Sequence, residues 1–270
     1  MTVTQSHYQA HTVSTYESAY FYSAGAYTDY LAKLVVKRLG LEPTTCRRIL
    51  DIGGGTGNFT RMLVRNSPEV QAIVVDPYLE GHEEGTDESS SHSSIKFVKA
   101  SAEILAEPRD NTWWRQDYHQ VLMKEVIHHI DASDRQDMFA GIFQDLPDKP
   151  SADPGILIIT RPHADIDYPL WEEARQVWAA NQPSQGDLHA DLEQAGFSFI
   201  SSTIEGYPCE IEFERWTSMV KNRFWSTFSN FSDDQLEQAC ERMRVDEADR
   251  IDEHGTIHFE DRLLVISAYK

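Results

Sequence analysis

The sequence predicts an α/β fold in which a mainly parallel sheet is wound with helices. Apolar runs of strand length alternate with helical patterns between residues 48 and 160. A glycine-rich turn, Gly53-Gly54-Gly55-Thr56-Gly57, follows the first of these runs. An acidic residue, Asp76, closes the second. Runs that end on chemistry-bearing turns are the pattern of open α/β sheets, which hold ligands beyond the carboxyl ends of their strands.

Residues 8–40 carry Tyr16, Tyr20, Phe21, Tyr22, Tyr27 and Tyr30, and then Leu31, Leu34, Val35 and Leu39 at spacings that suit a helix leading into the fold. Arg48 to Ile52 reads as the first strand and Asn58 to Val64 as the start of the first helix. Val70 to Val75 is a second strand, which completes a β-α-β unit. Residues 80–94, acidic and serine-rich, read as a solvent loop. Ile95 to Lys99, Gln120 to Lys124 and Gly155 to Thr160 supply three more strands, with a helix at 133–146 between the last two.

Beyond the fifth strand the pattern outgrows a minimal doubly wound domain. A helical segment at 165–180 holds Trp171 and Trp178, and a helix at 187–196 precedes a sixth strand at 197–204. An aromatic helical stretch is expected at 210–228. Ser232-Asp233-Asp234-Gln235 has the capping-box spacing that starts a helix. Alternation over 258–269 reads as a closing strand.

Composition narrows the partners. A chain of 270 residues with 40% hydrophobic content fills one large core, and its net charge of −20 opposes nonspecific attraction to nucleic acid or anionic membranes. A small-molecule partner, no nucleic acid and no membrane are therefore expected, with monomer and homodimer both open. No apolar stretch reaches spanning length and Met1 to His7 lacks the parts of a signal peptide, so a cytoplasmic location is expected. Cys46, Cys209 and Cys240 are widely spaced and form no metal-ligand pattern, which fits a reducing compartment and no metal.

The glycine turn constrains the ligand. Gly53, Gly55 and Gly57 make G-x-G-x-G, whereas a dinucleotide fingerprint needs glycine at position 58, where this chain has Asn58. Asp51 would repel a pyrophosphate but suits a ligand with an ammonium group and hydroxyls. Asp76 lies where an acid accepts hydrogen bonds from ribose hydroxyls. S-adenosylmethionine has this chemistry.

With RRILDIGGGTGNFTRML at 47–63, AIVVDP at 72–77, VKASAEIL at 98–105, VLMKEVIHHI at 121–130 and ILIITRP at 156–162, the chain resembles the class I S-adenosylmethionine-dependent methyltransferases. The resemblance is strongest to the small-molecule branch related to the ubiquinone/menaquinone and type 11 enzymes, and it runs over nearly the whole chain. It implies a Rossmann-like seven-stranded sheet with the last strand antiparallel, and helical cap insertions. It also implies a single methyltransferase domain over 1–270, with an N-terminal lid and lead-in helix at 8–40 and cap elements at 163–180 and 207–245. The family usually has cysteine where this chain has Gly54, a departure expected to loosen the loop.

Asp51, Gly53, Gly55, Gly57, Asp76, Pro77, Ser101, Ala102, Glu103 and Lys124 are the expected cofactor-binding residues. Ser101 to Glu103 are assigned by resemblance to the adenine; an ordinary helix cap at Ser101 is compatible with that role. His129 is the candidate base, because neutral imidazole is available near pH 7 and the second histidine of this pair often faces the active site in the family. Core packing is its alternative role. Tyr16, Tyr22, His128 and Arg161 are candidates for holding substrate, with a salt bridge to a nearby acid the competing role for Arg161. The expected activity is methyl transfer to a small metabolite. Protein methylation and a non-catalytic S-adenosylmethionine-binding regulator stay open beside it.

Overall fold

The computed structural model describes residues 24–41, 46–79, 94–108, 113–116, 118–148 and 153–270. The chain enters through α1 (Ala24–Leu39), whose Leu31, Val35 and Leu39 are buried, and turns at Gly40 into β1 (Arg47–Ile52). The elements α2 (Asn58–Asn66), β2 (Val70–Val75), β3 (Ile95–Val98), β4 (Gln120–Lys124), α3 (Ala132–Asp145) and β5 (Ile156–Thr160) follow in turn. Next come α4 (Glu172–Asn181), α5 (Gln185–Gln194), β6 (Ser198–Glu212), α6 (Phe213–Lys221), α7 (Asp233–Asp246) and β7 (Thr256–Tyr269).

The sheet has seven strands in the order β3-β2-β1-β4-β5-β7-β6. Strands β1 to β5 pair in parallel, and β7 pairs antiparallel to β5 from Ile156↔Ala268 to Thr160↔Leu264. The seven-stranded sheet with an antiparallel last strand is thus present. Strands β1, β2, β4 and β5 are largely buried, as expected of parallel strands covered on both faces.

Two expected boundaries move. The sixth strand continues past 204 to Glu212 and takes in the first residues, 210–212, assigned to a helical stretch. Cys209 and Ile211 are buried while Glu210 and Glu212 are exposed, a period of two that only a strand produces. The helix after β5 begins at Glu172 rather than at 165, and Trp171 is its N-cap residue.

The chain divides into two compact units. One comprises residues 28–160, 185–204 and 264–270, and its core is aliphatic, built around Leu50, Ile52, Val75, Met123, Ile142 and Ile158. The other comprises, among the described residues, 24–27, 161–184 and 205–263. Its core is aromatic: Tyr168, Trp171, Trp178, Trp216, Trp225, Phe228 and Phe259 are all buried. Trp216 and Trp225 meet edge to face at 5.9 Å, a geometry that aromatic quadrupoles favour. Their polar edges are used as well, since Trp178 and Trp216 Nε1 donate to the carbonyls of Pro162 and Pro169 at 3.0 Å.

Helix α7 opens with the expected capping box: Gln235 N donates to Ser232 Oγ at 3.3 Å and Ser232 N donates to Gln235 Oε1 at 2.8 Å. Ser232→Ala should lower stability by about 1 kcal/mol. Ser232→Asp should recover most of it, as read from the thermal midpoint; an unchanged midpoint in the alanine variant would show that the cap contributes nothing.

Candidate functional site

Parallel register brings the chemistry-bearing turns to one edge of the sheet. Past the strand ends the ladder continues with Gly53 N to Val75 O at 2.8 Å, Asp76 N to Val98 O at 3.1 Å and Glu125 N to Ile159 O at 2.8 Å. Asp51, the glycine turn, Asp76, Ser101 to Glu103 and Lys124 therefore all lie at the carboxyl ends of β1 to β4.

The turn requires glycine. Gly53 has φ 71°, and a Cβ there would collide with Val126. Gly57 has φ 74° at the N-cap of α2, where a Cβ would lie 2.7 Å from the Phe97 ring. The turn backbone from Gly53 to Thr56 is half-buried, so a ligand can lie against it. Position 54 is not slack, because a Cβ there would lie 2.6 Å from Asp51 Oδ2 and 2.9 Å from Val74 Cγ1. The volume that Gly54 leaves is taken by the Asp51 carboxylate, which replaces the expected loosening with close packing.

Asp51 is buried and accepts a hydrogen bond from Thr60 Oγ1 in the first turn of α2. Burial pushes its carboxyl up to about 6; Thr60 and Lys124 pull the other way, and Asp76 adds to the rise. Asp76 is tied down differently: Oδ2 accepts from Gly55 N at 3.0 Å and Oδ1 from Tyr78 N at 2.8 Å. An ionised carboxylate has about four acceptor positions, so two backbone bonds leave capacity for hydroxyls. Pro77 is exposed beside it.

Ser101 caps the short 3₁₀ turn Ala102–Ala106 by position, without a side-chain cap bond. Ala102 is buried, Glu103 is half-buried and Ser101 is exposed. A residue that sequence reasoning missed, Arg115, holds this turn in place. Its Nη2 donates to Leu105 O at 2.8 Å and its Nη1 to Glu107 O at 2.5 Å, while Nε meets Asp145 Oδ2 at 2.8 Å in a buried ion pair. Thr60 was missed too; the signal was a hydroxyl nine residues after the acid on the buried face of a short helix.

Lys124 ends β4 with Nζ 5.2 Å from the centre of the Phe59 ring. Glu125 follows at φ 57°, the left-handed region, and the 3₁₀ turn Ile127–His129 comes next. The rings of His128 and His129 lie 3.9 Å apart, tilted by 51°. Burial lowers His129 to about 4, so its imidazole is neutral at physiological pH.

Arg161 opens the aromatic unit, where Nε lies 3.1 Å from Asp261 Oδ1, Nη2 lies 3.2 Å from Oδ2 and Nε donates to Tyr168 Oη at 2.5 Å. The competing role considered for Arg161, a salt bridge, is the one its geometry displays. Tyr16 and Tyr22, with the rest of the expected lid before residue 24, lie outside the described residues.

A profile of methyltransferase domains, Methyltransf_23, matches residues 24–202. Malonyl-[acyl-carrier protein] O-methyltransferase of Paenibacillus sp. (strain JDR-2) is 35% identical over 78 residues, a match spanning 28% of this chain and 28% of that protein. Among solved structures, one named as a methyltransferase from an antibiotic biosynthesis pathway of Anabaena variabilis superposes with TM-score 0.59 at 15% identity, covering 88% of this chain and 96% of that one. YcgJ of Bacillus subtilis superposes with TM-score 0.51 at 16% identity, covering 90% and 99%. These superpositions establish a shared fold. No helix among the described residues is long and apolar enough to cross a membrane.

Proposed function

The chain belongs to the Methyltransf_23 methyltransferase-domain family and has the class I fold, and on that premise we propose that it binds S-adenosylmethionine and transfers its methyl group to a small metabolite. The observation that carries the reading is the glycine turn, clamped to Asp76 through Gly55 N at 3.0 Å, with Asp51 buried beneath it. Asp76 is suited to the ribose hydroxyls and Asp51 to the ammonium group. Ser101, Ala102 and Glu103 are assigned to the adenine, and Pro77 and Lys124 to the flanks.

When bound, the cofactor supplies an electrophilic methyl group on a sulfonium centre. The work left to the chain is alignment of a nucleophile and exclusion of water. His129 is assigned to receive a proton from the acceptor through its neutral ring, with His128 beside it. We assign acceptor selection to the aromatic unit and to the tyrosine-rich segment with Tyr16 and Tyr22. In support, most of the aromatic core follows residue 202, beyond the part of the chain that the family model matches. Arg161 is assigned there as a residue holding that unit together. We also propose that the whole chain works as one methyltransferase domain. The net charge of −20 supports a small acceptor over nucleic acid.

Calorimetry should detect S-adenosylmethionine and its demethylated product but no comparable affinity for NAD; the reverse preference would refute the cofactor reading. Asp76→Ala should weaken adenosyl binding by about 1.5–3 kcal/mol. Incubation with a labelled methyl donor and fractionated cell extract then tests the acceptor. Label in acid-soluble small molecules supports the proposal, label in protein overturns its acceptor class, and no label favours a binding protein without turnover.

A further inference from the structure

We propose that Thr60 positions Asp51 for the amino-acid end of the cofactor, and that glycine at position 54 is what admits this arrangement. The inference rests on the cofactor reading above.

Thr60 lies at the first turn of α2, fully buried, and its hydroxyl donates to Asp51 Oδ2. A hydroxyl is a costly group to bury unpartnered, and Asp51 is the acceptor that the fold provides. Asp51 is itself a buried acid whose surroundings include Lys124 from β4 and Asp76 just past β2. A charge-assisted bond from Thr60 stabilises its ionised form and fixes the plane of the carboxylate. The bond engages Oδ2, and so it presents Oδ1 as the acceptor for an ammonium group arriving over the glycine turn. The same carboxylate fills the place of a side chain at position 54, since Oδ2 lies 2.6 Å and Cγ 2.9 Å from where a Cβ would stand. A methyl group at position 54 would press on this carboxylate and on Val74 Cγ1 at 2.9 Å, so Gly54→Ala should strain the Asp51–Thr60 pair. Three residues from β1, the turn and α2 thus make one device, in which the hydroxyl acts through the acid without touching the reacting atoms.

Two nucleosides separate positioning from packing. S-adenosylhomocysteine carries the ammonium group, and 5′-methylthioadenosine has the same adenosine and thioether without the amino-acid end. Thr60→Val keeps the shape and deletes the donor. It should weaken S-adenosylhomocysteine roughly five- to fiftyfold by calorimetry while leaving methylthioadenosine within about twofold. Thr60→Ser should restore the affinity, and Gly54→Ala should reproduce the selective loss. Equal weakening of both nucleosides, or no weakening, overturns the proposal. Should the valine variant not fold, Thr60→Ala decides the question with the same two nucleosides, because selective loss of S-adenosylhomocysteine supports the device and undiminished affinity rejects it. A wild-type protein that binds neither nucleoside would instead refute the cofactor reading, a result separate from any difference among variants.

Discussion

Asp261→Ala should destabilise the aromatic unit by about 3–5 kcal/mol, the range for breaking a buried ion pair from one side. The Asp261 carboxylate is fully buried in β7 and gathers three partners. Tyr27 Oη donates to Oδ2 at 2.6 Å, Tyr168 Oη donates to Oδ1, and Arg161 contacts both oxygens at 3.1 and 3.2 Å. Alanine would leave a nearly buried guanidinium and two phenols without the acceptor that organises them. Asparagine keeps an oxygen for one tyrosine but turns an amide donor toward another donor, so its loss should be smaller than that of alanine yet above 1 kcal/mol. Urea unfolding followed by tryptophan fluorescence suits this test, because Trp171, Trp178, Trp216 and Trp225 all report from that unit. If unfolding has two steps, only the step seen by these tryptophans should move. A shift under 1 kcal/mol for the alanine variant would mean that the cluster is electrostatically neutral to folding, and Arg161 would return as a candidate for holding a substrate anion.

This cluster also shows why part of the molecule was illegible in the sequence. Asp51, the glycines and Asp76 could be placed at the sheet edge because each lies within a few residues of a strand end, where local pattern and chemistry coincide. Arg161 was noticed for its place after β5, but its partner lies a hundred positions away and sits between exposed Glu260 and half-buried Arg262 of an alternating strand. Nothing near Asp261 marks it as buried except the period-two pattern in which it falls on the inner face. The same periodicity runs through Tyr207, Cys209 and Ile211; aromatic content suggested a helix from 210 onward, and the alternation argued for the strand that continues to Glu212. Position 54 was misread for a third reason: deletion of a side chain loosens a turn only if nothing else moves into the space, and Asp51 does.

His129→Asn should lower turnover roughly ten- to a thousandfold, the span of general acid-base assistance, with cofactor affinity nearly unchanged. The pH behaviour identifies which property of the imidazole matters. An ordinary histidine titrates near 6.5, and burial lowers His129 to about 4. Above pH 6.5 the ring is neutral in both folded and unfolded chains, and its contribution to stability is complete. As pH falls from 6.5 to 4 the unfolded chain takes up a proton that the folded chain refuses, so stability declines through that window. Asp51 has the opposite sign: burial raises it from 3.8 to about 6, so the folded chain binds the extra proton and gains stability as pH falls between those values. The two effects oppose each other in the wild type. In His129→Asn the Asp51 contribution stands alone, and the difference in stability between wild type and variant should shrink by about 1–2 kcal/mol between pH 6.5 and 4, discounted for the partly exposed ring. Denaturant midpoints across that range measure the difference. A parallel pair of stability curves would place the His129 ring in solvent, whereas converging curves with undiminished turnover would make it a packed residue and leave alignment of the acceptor as the source of catalysis.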